Sequence, residues 1–491
     1  MRIVFMNPQG NFDNTDAFWT EHPDFGGQLV YVKEIAISLS RLGHDVDIIT
    51  RQFTDARFDR FDKQIAYYDN VAGVRIVRIP CGPKGFLKKE DLWPYLHEWI
   101  DNIITFYQTE STPIDFITTH YGDGGIAGAM LSYKLKIPFS FTGHSLGAQK
   151  MDKLSLNESN MTSLINQYQF GKRLLAERTA IRYASRIFVS TKQERDEQYA
   201  HKAYDDVAKY KKDKRFVIAP PGANLDVFGH DKPHPNEEVF HQKLSHYLRR
   251  DIDVNRQDLP YIVSASRLDH KKNHVGLLQA YAKSPTLQAI TNIAISLRGV
   301  DNAYLDYSNL KEEEQAIMTS LMDIIMTHHL EGKVAFVNIT SQAFLAASYR
   351  YFASKHSVFT LTALYEPFGL APIEAMAAGL PVAVTKYGGP SEVLKDEKNT
   401  YGVLLDVKDI DKMIQGYIHI FKHYDFYYKQ GLRRVLETYN WDATAAVYEQ
   451  AITEALKNPI ESHIIPKYFM DPSTSIDQVH IIKSYYLKDK E

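Results

Sequence analysis

Two cations and two carboxylates in the second half of the chain have the types and spacing to hold a diphosphate and a set of hydroxyls. Arg267 and Lys272 stand five residues apart across a strand-to-helix turn, Ser266-Arg267-Leu268-Asp269-His270-Lys271-Lys272-Asn273. A guanidinium and an ammonium so placed can converge on a diphosphate. Glu366 and Glu374 stand eight apart in Tyr365-Glu366-Pro367-Phe368-Gly369-Leu370-Ala371-Pro372-Ile373-Glu374, a separation that lets them address hydroxyls at opposite ends of one ligand. The Pro and Gly between them hold a tight loop whose amides can point at phosphate or sugar oxygens. A capping Glu followed by a surface Glu is the simpler alternative. It is weakened by the helix that follows, Ala375-Met376-Ala377-Ala378-Gly379, which is apolar enough to be buried and so leaves Glu374 in need of a partner.

The first half offers a different set. Gly26-Gly27-Gln28 opens a helix; a Gly pair lets a ligand approach the backbone, and a helix N-terminus favours an anion. A plain tight turn would look the same. No G-x-G-x-x-G follows the first strand, which argues against a dinucleotide site. Two strands end in His beside Gly, at His120-Tyr121-Gly122-Asp123 and at Thr142-Gly143-His144-Ser145-Leu146-Gly147. One such His is ordinarily structural, whereas two on neighbouring strands of one sheet point towards function. Lys150 follows, then Lys172 and Arg173 on a helix running through Glu177-Arg178. For Lys172 alone a solvated basic face is the simpler reading.

These residues need elements to position them. Short β-branched runs alternate with amphipathic helices, which predicts parallel α/β sheets. The first series is Ile3-Met6, Val46-Thr50, Val74-Ile79, Phe116-Thr119, Phe139-Thr142, Ile187-Ser190 and Phe216-Ala219. A helix after Gly27 places Val32, Ile35, Ala36 and Leu39 on one face. After Pro220-Pro221-Gly222 a polar stretch runs to about Pro260, read as a junction or an inserted helical region. A second series follows: Tyr261-Ala265, Ile293-Leu297, Val334-Val337, Val358-Thr362, Val382-Thr385 and Gly402-Leu405. The expectation is an α/β protein of two doubly wound, Rossmann-like domains facing across a cleft, 1–222 and 223–463, with 464–491 packing back on the first. In such sheets ligands bind beyond the carboxyl ends of the strands, where the motifs above fall.

Composition agrees and excludes alternatives. At 491 residues, 44% hydrophobic and 24% charged, the chain reads as globular and multidomain. Lys+Arg 57 against Asp+Glu 60 gives a net charge of −3, so no global field attracts nucleic acid or anionic lipid. The single cysteine, Cys81, rules out an intramolecular disulfide and a Cys-based zinc site. The most hydrophobic stretch, Val358 to Thr385, is broken by Glu366, Pro367, Glu374, Gly379 and Pro381, and no leader-like apolar core precedes Asn7-Pro8. A cytoplasmic protein with no membrane span is expected. Asp45-Val46-Asp47 enters a strand and Asp251-Ile252-Asp253 lies in the polar junction, so neither is read as a metal motif. His230, His234, His241 and His246 lack ligand spacing. No metal site is predicted.

Arg267 with Lys272, and Glu366 with Glu374, resemble the donor-site signatures of retaining family 4 glycosyltransferases of the two-Rossmann GT-B fold. With Asn7-Pro8-Gln9-Gly10, Gly26-Gly27-Gln28, Leu92-Trp93-Pro94-Tyr95, Thr119-His120-Tyr121-Gly122-Asp123 and Thr142 to Gly147, the chain is similar over essentially its whole length to the short bacterial sucrose-phosphate synthases. The resemblance implies an N-terminal acceptor domain and a C-terminal nucleotide-sugar domain. Arg267 and Lys272 would hold the diphosphate, and the Phe368, Gly369 and Leu370 amides would assist. Glu366 would contact the donor hexose and Glu374 the ribose. Gly26 and Gly27 would let backbone approach the donor phosphate or the acceptor, and His144 would sit beneath the reacting sugar.

The implied reaction moves glucose from a nucleotide sugar, UDP-glucose first and ADP-glucose second, to fructose 6-phosphate, giving sucrose 6-phosphate. The 6-phosphate partners map onto Lys89 and Arg173, with Lys172 beside them; Gln28, Tyr121, Ser145 and Lys150 are further acceptor contacts. No cofactor is required, and a divalent ion such as Mg is at most stimulatory. Plant enzymes of this activity carry regulatory and phosphatase-like regions not seen in this sequence, so a separate sucrose-phosphate phosphatase is expected downstream. Alternatives within the class are a mannosylfructose-phosphate synthase using GDP-mannose and a sucrose synthase acting on free fructose. The same fold hosts epimerases and phosphorylases, but an epimerase needs no acceptor and no cofactor-lysine motif for a pyridoxal-type phosphorylase is present. A non-catalytic sugar-binding protein would not need both clusters.

Overall fold

The structure is a computed structural model and describes residues 1–10, 12–14, 27–56, 60–458 and 462–488. Its central strands are buried on both faces, as parallel strands covered by helices must be. In β1 (Arg2–Met6) all five residues are buried. The first sheet contains β1, β2 (Asp45–Gln52), β3 (Ile65–Tyr67), β4 (Val74–Pro80), β5 (Phe116–His120), β6 (Phe139–Thr142), β7 (Arg186–Val189) and β8 (Phe216–Ile218). Their order is β3-β4-β2-β1-β5-β6-β7-β8. Every pairing is parallel except that of β3 with β4. Sequence reading missed β3, a three-residue antiparallel edge strand, Ile-Ala-Tyr, too short to stand out as an apolar run.

In this sheet β1 pairs with β2 on one side, Ile3 opposite Val46, and with β5 on the other, Ile3 opposite Phe116. The direction of winding therefore reverses between β1 and β5, and a crevice opens beyond their carboxyl ends. Helix α1 (Gly27–Arg41) buries Val32, Ile35, Ala36 and Leu39, the expected face, together with Tyr31.

The second sheet has the order β11-β10-β9-β12-β13-β14. Its strands are β9 (Tyr261–Ser264), β10 (Asn292–Leu297), β11 (Val334–Asn338), β12 (Val358–Leu361), β13 (Val382–Thr385) and β14 (Val403–Leu405), all parallel. Here winding reverses between β9 and β12, the two strands that precede Arg267 and Glu366.

The chain forms two compact units, one from Met1–Pro220 with Thr444–Glu491, the other from Pro221–Ala443. The expected break at 222/223 falls two residues earlier, and the return to the first unit comes at 444 rather than 464. The cause is Tyr448, on the helix Trp441–Ala455: it stacks on Phe188 at 3.6 Å and hydrogen-bonds Tyr31 at 3.0 Å. Beyond it the C-terminal segment also lies in the first unit. His463 meets Ser132 at 3.1 Å, Phe469 meets Trp93, and Tyr486 stacks on His201.

The polar stretch after Pro221 is part of the second unit. Its helix Glu237–Asp251 buries Leu244, Tyr247, Leu248 and Asp251, too sparse a stripe to raise the local hydrophobicity. Asp251 accepts from Arg250 and from the Phe336 amide at 2.9 Å, and Asp47 accepts from Arg75 and Tyr107. One aspartate of each Asp-x-Asp pair, Asp47 and Asp251, is thus built into the fold. No described helix is long and apolar enough to cross a membrane.

Candidate active site

In the first unit the crevice residues gather around one aromatic ring. Tyr121 follows β5 directly and starts helix α2 (Tyr121–Leu135) with φ +69°, a left-handed conformation costly for a non-glycine residue. Its ring carries the Arg173 guanidinium at 4.3 Å and the Lys89 ammonium at 5.5 Å. Lys150, on helix α3 (Gly147–Lys153), sits 3.9 Å above the Tyr168 ring. Lys89, Trp93, Tyr121, Asp123, Lys150 and Arg173 all line one pocket. Three cations over aromatic faces form a site suited to an anion such as a phosphate monoester.

Arg173 lies on helix α4 (Phe170–Tyr183), which buries Arg173, Glu177 and Arg178. Of the two neighbouring cations Lys172 and Arg173, only Arg173 lines the pocket. One step along a helix turns a side chain by about 100°, and the Lys172 ammonium rests on Tyr468 at 5.1 Å instead of lining the pocket. Burial lowers its pKa. For Arg173 burial opposes the charge, but Tyr121 and Glu177 outweigh it and raise the pKa. Ser145 contributes its carbonyl, which accepts from Arg173 Nη2 at 2.7 Å. Asp123 was not singled out by sequence. Burial pushes its carboxyl up to about 6, against the pull of the Gly124 amide, Lys89 and Arg173.

The two histidines touch. His120 Nδ1 and His144 Nε2 lie 2.9 Å apart, the rings stacked. Burial drives both pKa values down, that of His144 to about 3. Both are therefore neutral and share one hydrogen bond. His144 has φ +54°, so its backbone is held off the strand direction just past β6. Gln28 donates to Asn7 Oδ1 at 3.3 Å, joining the start of α1 to the end of β1. No described atom lies within 4 Å of a Cβ built at Gly27, as close backbone approach by a ligand requires. Gly26 lies outside the described residues.

In the second unit Arg267 is exposed just beyond β9. Lys272 forms an ion pair with Glu366 at 2.5 Å, bringing together two residues expected at different parts of the donor. Gly369 has φ +88° and caps helix α5 (Leu370–Ala377), so the Phe368-Gly369-Leu370 segment supplies a helix N-terminus with its unused amides. Phe368 packs on Tyr439. α5 buries Pro372, Ile373, Ala375, Met376 and Ala377, with Glu374 partly exposed beside them; its charge raises the pKa of the buried Tyr349 further, after burial itself. Sequence reading overlooked Gly388 and Gly389. Gly388 bridges Glu366, and Gly389 donates to the Glu366 carbonyl at 3.0 Å, which fixes the loop from behind. A Gly pair after β13 was the available signal.

Among the described residues no group of three or more His, Cys, Asp or Glu side chains is placed to hold a metal ion. The arrangement offers cations and amides for phosphates at the end of each sheet, and a neutral histidine pair beside one of them.

Comparison with known proteins places the chain in a family. The family model "Glycosyl transferases group 1" matches residues 249–439, and "Glycosyl transferase 4-like domain" matches residues 26–206. The chain is 42% identical to a probable sucrose-phosphate synthase of Thermosipho melanesiensis over 96% of this chain and 99% of that one. It is 30% identical to the mannosylfructose-phosphate synthase of Agrobacterium fabrum, covering 77% and 76%. With the sucrose-phosphate synthase of Zea mays it shares 28% identity over 93% of its own length and about half, 48%, of that longer protein. Among solved structures it matches a sucrose-phosphate synthase from Thermosynechococcus elongatus with a TM-score of 0.62 at 21% identity, covering 93% and 99% of the two chains; at that identity the match speaks for the fold. Identity at this level over nearly the full length of both chains, on two Rossmann-like units, means that the chain belongs to the sucrose-phosphate synthase family of hexosyltransferases, enzymes of the GT-B fold.

Proposed function

We propose that this hexosyltransferase moves glucose from UDP-glucose to fructose 6-phosphate with retention of anomeric configuration. The observation that carries the acceptor is the pocket in which buried Arg173, Lys89 and Lys150 surround Tyr121 and Asp123. A phosphate group would be attracted by all three cations, an attraction that uncharged free fructose lacks. The names of its relatives, a probable sucrose-phosphate synthase at 42% identity and a mannosylfructose-phosphate synthase at 30%, support a fructose phosphate acceptor.

On this reading the donor binds to the second unit. Arg267 and Lys272 take the diphosphate, the amides of Phe368 to Leu370 assist, Glu366 meets hexose hydroxyls, and Glu374 accepts from the ribose. As the glycosidic bond to the diphosphate breaks, positive charge grows on the sugar ring and negative charge on the leaving phosphate. Cations there stabilise the transition state more than the ground state. The acceptor hydroxyl attacks from the face that the diphosphate leaves, and its proton passes to a diphosphate oxygen, so no enzymic nucleophile is needed. His144, buried and neutral, borders the reacting sugar. Gly26 and Gly27 give backbone access, and Gln28, Tyr121 and Ser145 orient the acceptor. No cofactor takes part, the enzyme works in the cytoplasm, and a separate phosphatase consumes the product.

Incubation of the protein with UDP-glucose, ADP-glucose or GDP-mannose, each with and without fructose 6-phosphate, tests the reading. Sucrose 6-phosphate with an α-glucosyl linkage is expected from UDP-glucose, at a rate that a chelator changes by less than about twofold. Nucleotide release that ignores fructose 6-phosphate, or a β-linked product, overturns it. Product formation from GDP-mannose alone would select the second reading, for which the mannosylfructose-phosphate synthase relative is the specific support.

A further inference from the structure

The helix that carries Arg173 also buries a carboxylate for which the transfer chemistry has no use. Glu177 is fully buried, and the Arg173 side chain next to it keeps 5% of its exposure. Donors converge on Glu177 from two other elements and from its own helix. The Gly147 amide at the start of α3 donates to both oxygens, at 3.0 and 2.9 Å. Arg173 Nε donates to Oε1 at 2.8 Å. The Tyr204 hydroxyl, from the 3₁₀ turn Lys202–Tyr204, donates to Oε2. Gly122 on α2 packs on the pair from the remaining side: a Cβ there would lie 3.3 Å from Glu177 Cγ, and one at Gly147 would lie 3.1 Å from Oε2. Two glycines thus leave room for this carboxylate.

The effect is on Arg173. Glu177 occupies its Nε, the Ser145 carbonyl takes one Nη2 proton at 2.7 Å, and the Tyr121 ring covers one face at 4.3 Å. No described residue hydrogen-bonds Nη1. A planar fork fixed along one edge and one face has only its outer edge to offer a ligand, and Arg173 lines the pocket. Fixing a long, flexible side chain before the ligand arrives removes its ordering cost from binding.

We infer that Glu177, backed by Tyr204, is the positioning residue that sets affinity for the phosphate of the acceptor, by holding Arg173 with its free edge towards the pocket. The inference rests on the fructose 6-phosphate reading above. Glu177→Gln keeps the size of the side chain but removes its charge and presents an amide N–H where only donors now point. In steady-state kinetics of the full chain, the KM for fructose 6-phosphate should rise by about tenfold or more, with kcat and the KM for the nucleotide sugar within about twofold. Glu177→Asp, which restores the charge on a shorter arm, should recover part of that loss.

An unchanged acceptor KM in folded Glu177→Gln overturns the inference. So does a parallel loss in kcat and in donor KM, the mark of a merely structural role. Should Glu177→Gln fail to fold, Tyr204→Phe is read in the same way, with an acceptor KM raised about threefold expected and an unchanged one decisive against. Wild-type protein that treats fructose and fructose 6-phosphate alike overturns the acceptor reading and this inference with it, and that result appears before any variant is made.

Discussion

Lys272 and Glu366 pair at 2.5 Å with 23% and 12% of their side chains exposed, so the cation assigned to the diphosphate is already occupied by the carboxylate assigned to the sugar. A nucleoside diphosphate has to compete for Lys272. A carboxylate beside its phosphates also repels it, unless sugar hydroxyls arrive to donate to that carboxylate. The pair therefore favours the whole nucleotide sugar over the bare nucleotide that remains after transfer. Glu366→Gln separates the two effects. It should tighten UDP binding, measured by calorimetry, by roughly twofold to fivefold, the range for removing one partly screened charge contact. It should also lower turnover by about a hundredfold or more through the lost hydrogen bonds to the hexose. UDP binding that weakens would remove Lys272 from the diphosphate.

The loop around Glu366 keeps its shape because another backbone lies directly against it. Gly388 has φ +105°, and a Cβ built there would collide with the Glu366 carbonyl oxygen; Gly389 is equally close to Pro367. Gly388→Ala must therefore move the loop. The expected cost is about 2 kcal/mol or more in unfolding free energy, with the KM for the nucleotide sugar raised and that for the acceptor unchanged; a variant with wild-type donor kinetics would show that the contact is dispensable. This contact was not legible in the sequence, because nothing in a Gly pair after β13 names its partner after β12. The strands were legible for the converse reason: a parallel strand covered on both faces is a continuous apolar run, whereas β3, antiparallel at the edge, is only three partly exposed residues long. The motif residues were legible because they follow strand ends, where α/β ligands bind. Which of Lys172 and Arg173 faces the pocket was not, since that depends on helix rotation. Glu177 was hidden in Gly-Lys-Arg-Leu-Leu-Ala-Glu-Arg, a segment that reads as a wet surface until α2, α3 and α4 are packed together.

For the molecule as a whole, the near-neutral charge of −3 conceals buried groups of opposite titration in the first unit. Burial holds His120 and His144 neutral, His144 with a pKa near 3, so each contributes stability above the ordinary histidine value that is lost as pH falls. Burial also holds Asp123 and Glu194 protonated, with pKa values of about 6 and about 7. Those two contribute stability that is fully present below the ordinary carboxylate values and is lost as pH rises through 6 to 7. Between pH 7 and about 5 the unfolded chain takes up protons on the histidines while the folded chain takes them up on the carboxyls. The two slopes oppose each other, and the fold is buffered against mild acid. Glu194→Gln should remove one side of that balance while leaving an acceptor for the Ser190 amide, which Glu194 now holds at 2.7 Å. In urea unfolding at pH 7, 6 and 5, the variant should lose stability on acidification more steeply than wild type, the difference in slope approaching about one proton per molecule. Curves that stay parallel would mean that Glu194 is ionised in the folded protein and that Asp123 alone offsets the histidine pair.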